Sequence, residues 1–527
     1  MHLRRTAAIL TAGVVSVSLV ACSDSSGSGS GGDGDYVSAW GSEPQNPLIP
    51  ADTNEVGGGR IVESIYSGLK YYDADGKSHN ELAESIELEG EKTYRVTLKD
   101  DQKFSDGSPV TSANFVDAWN YAVKESLMSA SFMEPILGYE EGAESLEGLK
   151  VVDDKTFTIE LAAPMADFPD QLGYSAFFPM HESAFDDIAA YGEKPISNGP
   201  YQLEEWNHNE NAIITPNPEY KGERTPKNDG VDFVFYAETD AAYADLLSGN
   251  LDVLDAIPDS AFASYQEELG DRWANDPAAV FQSFTIPENA PHFSGTEGDL
   301  RRQALSMSIN REEITDTIFD GTRTPATDFT SPVIPGHSDS LAGAEVLEYN
   351  PVRAKELWAQ ADAISPFTGE FTISYNADGG HQSWVDAVAN SLRNTLGIEA
   401  VGNPYPDFKS LRDDVTNKKI EGAFRTGWQG DFPLLSNFLT PLYRTGASSN
   451  DGDYSNPQFD QLLDDAAAAP NADEANPIYN RAQEILLQDL PAVPLWYSNV
   501  TGGWGENVDN VDFNWKSQPV YSEITKN

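Results

Sequence analysis

The chain has 527 residues, 39% of them hydrophobic and 11% aromatic, which supports a sizeable core and excludes global disorder. Its 85 acidic and 33 basic side chains give a formal net charge of −52. Such a charge excludes nonspecific binding of nucleic acid and favours solubility outside the cell. At roughly 150 residues per domain, the length predicts about three folding units.

The N-terminus has the features of a secretory signal. Two arginines precede the apolar run AAILTAGVVSVSLV at residues 7–20, which is too short to span a membrane comfortably. Small residues before a lone cysteine, LVAC at 19–22, resemble the bacterial lipobox. That resemblance implies cleavage before Cys22 and a diacylglycerol on its thiol. We therefore expect a signal peptide at residues 1–21, and a lipidated Cys22 with a flexible polar tether at residues 22–35.

Strand and helix patterns alternate in the body of the chain. Tyr94, Val96 and Leu98 alternate with polar residues, as in a half-buried strand. Thr111 stands where it can cap a following helix. The apolar residues of that helix, spaced at i, i+3, i+4 and i+7, are Phe115, Ala118, Trp119 and Ala122. A further strand is predicted at residues 155–164.

The later part of the chain continues this alternation. Gly249 is expected to end one helix, with a short strand after it at residues 251–254. Asn310 and Glu313 form a capping-box pattern. Residues 369–401 have a strand–loop–helix–strand pattern, a βαβ unit that implies parallel pairing. The predicted class is therefore α/β, multidomain, with mixed sheets.

Short phrases with a characteristic order span nearly the whole chain after the tether. They are FSDGSPVTSANFVDAW (104–119), VVDDKTFTIEL (151–161), NGPYQLEEW (198–206), NPEYKG (217–222), LLSGNLDVLDAIP (246–258), RRQALSMSINREEI (301–314), TGWQGDFP (426–433) and YSNPQFDQLLDDA (454–466). Their order and spacing resemble the extracytoplasmic solute-binding proteins of family 5, the peptide-binding components of ABC importers.

The resemblance implies a periplasmic-binding-protein-like clamp of two lobes, with an extra subdomain on the first lobe. The predicted first lobe combines residues 36–56, 182–285 and 491–527. The subdomain is predicted at 57–181 and the second lobe at 286–490. The chain would cross between the lobes near residues 284–289 and 491–497.

The resemblance also assigns roles within RTGWQGDFPLL, residues 425–435. In oligopeptide-binding members a Trp-x-x-Asp element supplies the carboxylate that takes the ligand's α-ammonium, here Trp428 and Asp431. The residues before that Trp pair with the ligand backbone, which makes Arg425 to Gly427 a strand edge. Gly427 suits this place because a residue without Cβ lets another backbone approach closely.

Other positions match the family at single residues. Arg425, with His381 in the loop YNADGGH, resembles the receptor for the carboxylate of short peptides, and a guanidinium fork suits that group. Phe408 is expected to form an aromatic pocket wall. Ser42 and Glu43 match an early segment that gives backbone contacts to the ligand, although NPLIP replaces the usual sequence after it.

Composition alone supports plainer roles for the same residues. Asp431 precedes Phe432 and Pro433 and could cap a turn, Trp428 could belong to the core, and Arg425 could pair with a surface acid. The family match favours the binding roles. The role of Arg425 also bears on peptide length, because a ligand held by both Asp431 and Arg425 must be short.

Catalytic and metal-binding patterns are incomplete. His181 and Glu182 begin a zinc-protease pattern, but Phe185 occupies the position of its second histidine. Gly336 begins a nucleophile elbow that Ser340 breaks. The seven histidines show no metal-ligand spacing. We therefore expect no catalytic site, no metal site and no cofactor.

The sequence thus predicts a monomeric, lipid-anchored receptor on the extracytoplasmic face of the cell membrane. It would bind short peptides and deliver them to the permease subunits of an ABC transporter. Two alternatives remain at this point: the same clamp with a sugar, opine, metal chelate or haem as ligand, and a cell-surface hydrolase.

Overall fold

The computed structural model describes residues 36–527, the side chain of Asp378 excepted. The predicted signal peptide, Cys22 and the tether lie outside the described residues. Within the described part of the chain, no helix combines the length and the apolar character that crossing a membrane requires.

The described residues form nineteen β-strands. In chain order they are β1 (Val37–Gly41), β2 (Lys70–Tyr72), β3 (Ser78–Asn80), β4 (Ala83–Glu89), β5 (Thr93–Leu98), β6 (Leu149–Asp153), β7 (Thr156–Glu160), β8 (Tyr201–Asn207), β9 (Asn211–Pro216), β10 (Val231–Phe235), β11 (Val253–Leu254), β12 (Trp273–Thr285), β13 (Arg323–Pro325), β14 (Glu370–Asn376), β15 (Glu399–Tyr405), β16 (Ala423–Gln429), β17 (Ala492–Trp504), β18 (Val508–Asp509) and β19 (Thr525–Lys526).

The same residues form fourteen α-helices and several short 3-10 turns. The helices are α1 (Val56–Ile65), α2 (Ser112–Lys124), α3 (Phe168–Gln171), α4 (Ile188–Glu193), α5 (Thr239–Ser248), α6 (Tyr265–Leu269), α7 (Gly295–Met307), α8 (Arg311–Ile318), α9 (Pro351–Ile364), α10 (Gln382–Leu396), α11 (Phe408–Thr416), α12 (Leu435–Tyr443), α13 (Pro457–Ala467) and α14 (Ala472–Asp489). The 3-10 turns are Pro50–Asp52, Ala130–Met133, Ser175–Phe177, Glu182–Phe185, Asp259–Ala261, Ala344–Leu347 and Ala377–Gly379.

Several local sequence signals form the elements that they predicted, whereas the strands predicted at 155–164 and 251–254 are shorter, Thr156–Glu160 and Val253–Leu254. The backbone N–H of Thr111 donates to Asn114 Oδ1 (2.8 Å), part of the capping box that starts α2. Gly249 adopts a left-handed conformation (φ 80°) at the end of α5, which a residue without Cβ reaches at little cost. The predicted βαβ unit is confirmed, since β14 and β15 flank α10 and pair in parallel.

One large sheet links most of the strands. Its order is β15-β14-β16-β12-β17-β11-β1-β10-β9-β8, and β13 pairs with β17. The pair β1–β10 is parallel and the pair β12–β17 is antiparallel, so the predicted mixed sheet is confirmed. The strands β12 and β17 have 13 residues each and stand in the middle, where they join the two halves of the sheet.

The register between β12 and β17 shifts between Pro277 and Phe281, as at a β-bulge. Before this shift, β12 pairs only with β17; after it, β12 also pairs with β16. The two long strands therefore carry the chain from one half of the sheet to the other. The lobe boundaries and the crossovers inferred from the sequence stay predictions.

A separate antiparallel sheet, β4-β5-β7-β6, lies within the predicted subdomain. It forms a core with α2, in which the rings of Phe115 and Phe157 stack with centroids 5.8 Å apart. Trp119 packs edge-on against Phe157 and donates from Nε1 to the carbonyl of Phe177 (3.0 Å). We call this apolar cluster the subdomain core.

Candidate functional site

The strand β16 presents an open edge. Its first two residues pair with β14, whereas the later ones pair, among the described residues, only with β12. The backbone N–H of Gly430 donates to the carbonyl of Ala279 (2.9 Å). Because hydrogen bonding alternates along an antiparallel pair, the backbone groups of Trp428 then face β12 and those of Gly427 face the open edge.

Gly427 is exposed at this edge. A Cβ built there would stand 3.3 Å from the carbonyl oxygen of Phe281, so space for a side chain is tight on the β12 side. An extended chain can add to such an edge through backbone hydrogen bonds. The geometry is the strand edge that the sequence predicts.

Asp431 follows β16 and is held by a single amide. Its backbone N–H donates to Asn437 Oδ1 (3.0 Å), and Asn437 Nδ2 donates to Asp431 Oδ2 (3.0 Å). Trp428 Nε1 donates to the same Asn437 Oδ1 (3.2 Å). Asn437 lies in the first turn of α12 and is buried, so it fixes both members of the predicted Trp-x-x-Asp element.

The ionised carboxylate of Asp431 lies in surroundings where a nearby cation would stabilise it. Burial raises the pKa of Asp431, while the Asn437 amide and the charge of Lys516 act in the opposite direction. Within the described residues, no salt bridge to Asp431 is formed. A partly buried carboxylate without a direct cationic partner favours binding of a cation from outside the protein.

Asp431 borders a cavity of about 700 Å³. We call it the large cavity. Its other lining residues include Tyr72 and Tyr174 from the predicted subdomain, Glu63 from α1, and Trp515 and Lys516 from the C-terminal segment. Residues from distant parts of the chain therefore converge on the carboxylate.

The loop after Asp431 inserts into the subdomain core. Phe432 and Leu434 are buried in that cluster, and the ring of Phe432 lies 6.3 Å from Tyr174. The Ser436 hydroxyl, one position before Asn437, donates to Asp167 Oδ2. The position of Asp431 is thus fixed by packing on one side and by the first turn of α12 on the other.

Arg425 and Phe408 meet at a second, smaller cavity of about 230 Å³. The Arg425 guanidinium lies 5.0 Å from the centre of the Phe408 ring, and its Nε donates to Asn376 Oδ1 (2.9 Å). Gly427 and Trp428 line the same cavity. The structure therefore brings Arg425, Phe408 and the β16 edge together.

His381 begins α10 close to these residues. Its Nδ1 accepts from Trp384 Nε1 (3.1 Å), so the neutral ring carries its proton on Nε2. A Cβ on Gly379 would stand 2.6 Å from both His381 Nε2 and Asn376 Nδ2, so the two side chains flank that glycine. Asn376 thus connects the surroundings of His381 with Arg425, while His381 itself lines neither cavity.

Ser42 and Glu43 lie elsewhere, directly after β1. Glu43 Oε1 contacts His208 Nδ1 (2.8 Å), and Glu43 Oε2 accepts from the backbone of Asn209 (2.8 Å). Hydrogen bonds to the carboxylates of Glu43 and Glu193 raise the pKa of His208. Neither Ser42 nor Glu43 lines the large or the smaller cavity, and their predicted role stays a prediction.

Sequence reasoning missed several residues of this site. Asn437 stands six positions after Asp431, and an asparagine in the first turn of a helix was the one local signal that could have indicated it. Lys516 and Glu63 carried no local signal, because they meet only through the fold.

Similar proteins define the class of this fold. The structure of MppA, a periplasmic murein tripeptide binding protein in its unliganded open form, superposes with a TM-score of 0.81 at 23% identity, covering 93% of this chain and 97% of that one. OppA from Haemophilus influenzae, in complex with RPPGFSPFR, gives 0.72 at 21% identity, with coverage of 94% and 99%. The predicted two-lobed clamp is confirmed by these matches.

Sequence comparison gives the family. The profile described as "Bacterial extracellular solute-binding proteins, family 5 Middle" matches residues 77–450, and the chain belongs to this family. The oligopeptide-binding protein OppA of Bacillus subtilis is 24% identical over 489 residues, 88% of each chain. The periplasmic oligopeptide-binding protein OppA of Salmonella typhimurium is 26% identical over 514 residues, 93% of this chain and 92% of its own.

Proposed function

We propose that this protein is an extracytoplasmic receptor that binds short peptides between its two lobes and delivers them to an ABC permease. The observation that carries the proposal is the carboxylate of Asp431. It is partly buried, is held by the Asn437 amide, borders a cavity of about 700 Å³, and lies directly after the strand β16.

A peptide presents groups that match this arrangement. Its α-ammonium pairs with Asp431, because a buried charge without a partner costs several kcal/mol. Its backbone adds to the edge of β16 at Gly427. Its carboxylate is received by Arg425 and His381, where the guanidinium supplies a planar pair of donors. Phe408 and Trp428 contact its side chains, and Ser42 and Glu43 its backbone from the other lobe.

The relatives support a peptide as ligand. They include proteins named for oligopeptide, dipeptide and murein peptide binding. A relative of Escherichia coli, 26% identical, is named a probable deoxycholate-binding protein, so the clamp also occurs with another ligand class. A ligand of that kind has no ammonium, and the acid at position 431 favours the peptide.

The proposal includes the domain organisation inferred from the sequence. The first lobe comprises residues 36–56, 182–285 and 491–527, and the second lobe residues 286–490. Residues 57–181 form the subdomain. Closure of the two lobes around the ligand is the state that the permease recognises, and the protein acts as a monomer without a cofactor or a catalytic step.

Native mass spectrometry tests the binding function. Protein purified from its own host is expected to carry peptides, and a labelled tripeptide added to stripped protein is expected to bind one to one and be recovered intact. The same tripeptide with an acetylated N-terminus is the control and is expected to bind weakly. Cleavage of the label would instead indicate a hydrolase, and retention of a non-peptide ligand would indicate a different cargo.

Lipid anchoring at Cys22 is a separate part of the proposal. It is supported by the lipobox-like LVAC and the polar segment after it. Cells fed labelled palmitate are expected to label the wild-type protein in the membrane fraction and not a Cys22→Ser variant. Labelling of both, or of neither, would contradict the anchor without bearing on peptide binding.

A further inference from the structure

Three charged side chains stand together on the wall of the large cavity. They are Asp431 after β16, Glu63 on α1, and Lys516 in the C-terminal segment. The Lys516 ammonium contacts Glu63 Oε1, and the two side chains are 15% and 26% exposed. Burial and the carboxylates of Asp431 and Glu63 raise the pKa of Tyr174, which places both acids around the same phenol.

Hydrogen bonds fix the backbone around Lys516. Trp515 donates its N–H to Ala74 (2.9 Å) and accepts at its carbonyl from Ala279 (2.8 Å). The Lys516 N–H donates to Asn514 Oδ1 (3.1 Å). Beyond this anchored backbone, the lysine has a flexible four-carbon stem. The acids around it therefore decide where its ammonium rests.

A lysine beside a partly buried carboxylate would ordinarily pair with it. The Lys516 charge already acts on Asp431, since it lowers the pKa of that carboxyl against the effect of burial. The contact that is formed is nevertheless with Glu63. A direct pair between Lys516 and Asp431 would put an internal ammonium where the ligand's ammonium has to bind.

We propose that Glu63 is a specificity-determining residue that holds Lys516 away from Asp431 and so keeps the carboxylate open for a cationic ligand group. The inference rests on the proposed role of Asp431 in peptide binding. Without Glu63, Lys516 would occupy Asp431, and a ligand would have to displace it. The apparent affinity is then the intrinsic affinity multiplied by the fraction of molecules in which the carboxylate remains open.

Another ion pair of α1 shows the contrast. Arg60 pairs with Asp255 (3.2 Å), and both side chains are almost completely buried. Arg60 also borders the large cavity, but Asp255 does not, so the cavity offers Arg60 no choice between two acids in this pair. The Lys516–Glu63 pair borders the cavity, where the choice between two acids changes what the cavity can bind.

The test combines one variant, one rescue and one matched control. Glu63→Gln is expected to weaken binding of a free-amine tripeptide about tenfold, if the internal pair forms in about nine molecules of ten. Glu63→Gln combined with Lys516→Met is expected to restore the wild-type affinity. Glu223→Gln is the control, because it changes charge equally on the same cavity wall but contacts the Tyr71 hydroxyl (2.9 Å) instead of Lys516.

The outcomes separate this inference from the proposed function. Unchanged affinity in Glu63→Gln overturns it, and so does a loss that Lys516→Met does not restore, or an equal loss in Glu223→Gln. Thermal melts of each variant distinguish lost affinity from lost folding. If Asp431→Asn binds the tripeptide as well as wild type does, the proposed site fails and this inference with it; if only Glu63→Gln is without effect, the site stands.

Discussion

Two carboxylates contact the first turn of α12, the partly buried Asp431 and the fully buried Asp167. Asp431 is bound by Asn437, and Asp167 is bound by the hydroxyls of Ser436 and Tyr479 (3.3 Å for Tyr479). Burial raises the pKa of both acids. Among the described residues, neither acid forms a salt bridge.

Access to solvent distinguishes them. Asp167 is 1% exposed and joins the subdomain to α12 and α14, whereas Asp431 opens onto the large cavity. A carboxylate buried between two elements holds them together, and no ligand can reach it. A carboxylate at the wall of a cavity stays accessible to a cation. Burial alone therefore does not identify a binding residue.

Asp431→Asn is expected to have the largest effect and to separate the two acids. It should weaken binding of a free-amine tripeptide by roughly 2–5 kcal/mol, because the ligand ammonium loses its charged partner in a desolvated site. Titration followed by tryptophan fluorescence measures this change. Asp167→Asn is the matched control and should leave the affinity unchanged; an equal loss in both variants would remove the distinction.

Asn437→Ala is expected to weaken binding by about 1–3 kcal/mol, since it leaves the donors of Asp431 and Trp428 without their acceptor and frees the carboxylate to move. Asn471→Ala removes the cap of α14 and serves as the control for a lost helix contact. It should lower the melting temperature with no change in affinity. Wild-type affinity in Asn437→Ala would show that Asp431 needs no such support.

Asp167→Asn is expected to raise the free energy of unfolding at pH 7 by about 1–2 kcal/mol, because the amide removes a charge buried without a cation. The pKa of Asp167 is raised in the folded state. Its contribution to stability is therefore complete at acid pH and is lost as pH rises through that raised pKa. The gain over wild type in urea titrations should shrink toward acid pH; a destabilised variant at pH 7 would refute this.

The pH dependence of affinity gives the smallest effect near neutral pH. Asp431 must be ionised to hold an ammonium, and burial raises its pKa. As the pH is lowered, affinity for a free-amine peptide should therefore begin to fall at a pH above the ordinary titration range of aspartate. Below the raised pKa, it should fall by about tenfold for each further pH unit. Calorimetry across pH measures it, and Asp431→Asn should flatten the profile. A wild-type profile that is already flat would contradict the assignment.

Local sequence patterns predicted much of the fold and part of the candidate site. The alternation at Tyr94, Val96 and Leu98, the cap at Thr111 and the βαβ unit each formed as predicted, because short-range preferences determine them. The strand edge at Gly427 was implied by the family resemblance of a short segment. These features depend on residues close together in the sequence.

The remaining features depend on distant pairs. Lys516 and Glu63 are separated by 453 positions, and Asp167 and Ser436 by 269. The burial of Phe432 in the subdomain core is equally invisible in a linear pattern. The side-chain partners of Glu43, His208 and Asn209, also lie far along the chain and had no local signal in the sequence.

The central claim is that Asp431 receives the ammonium of a peptide. Calorimetry on four combinations tests it most directly: a tripeptide and its N-acetylated form, each with wild type and with Asp431→Asn. Acetylation is expected to cost roughly 2–5 kcal/mol in the wild type and little in the variant, because both changes remove the same contact. An equal cost of acetylation in both proteins would contradict the account.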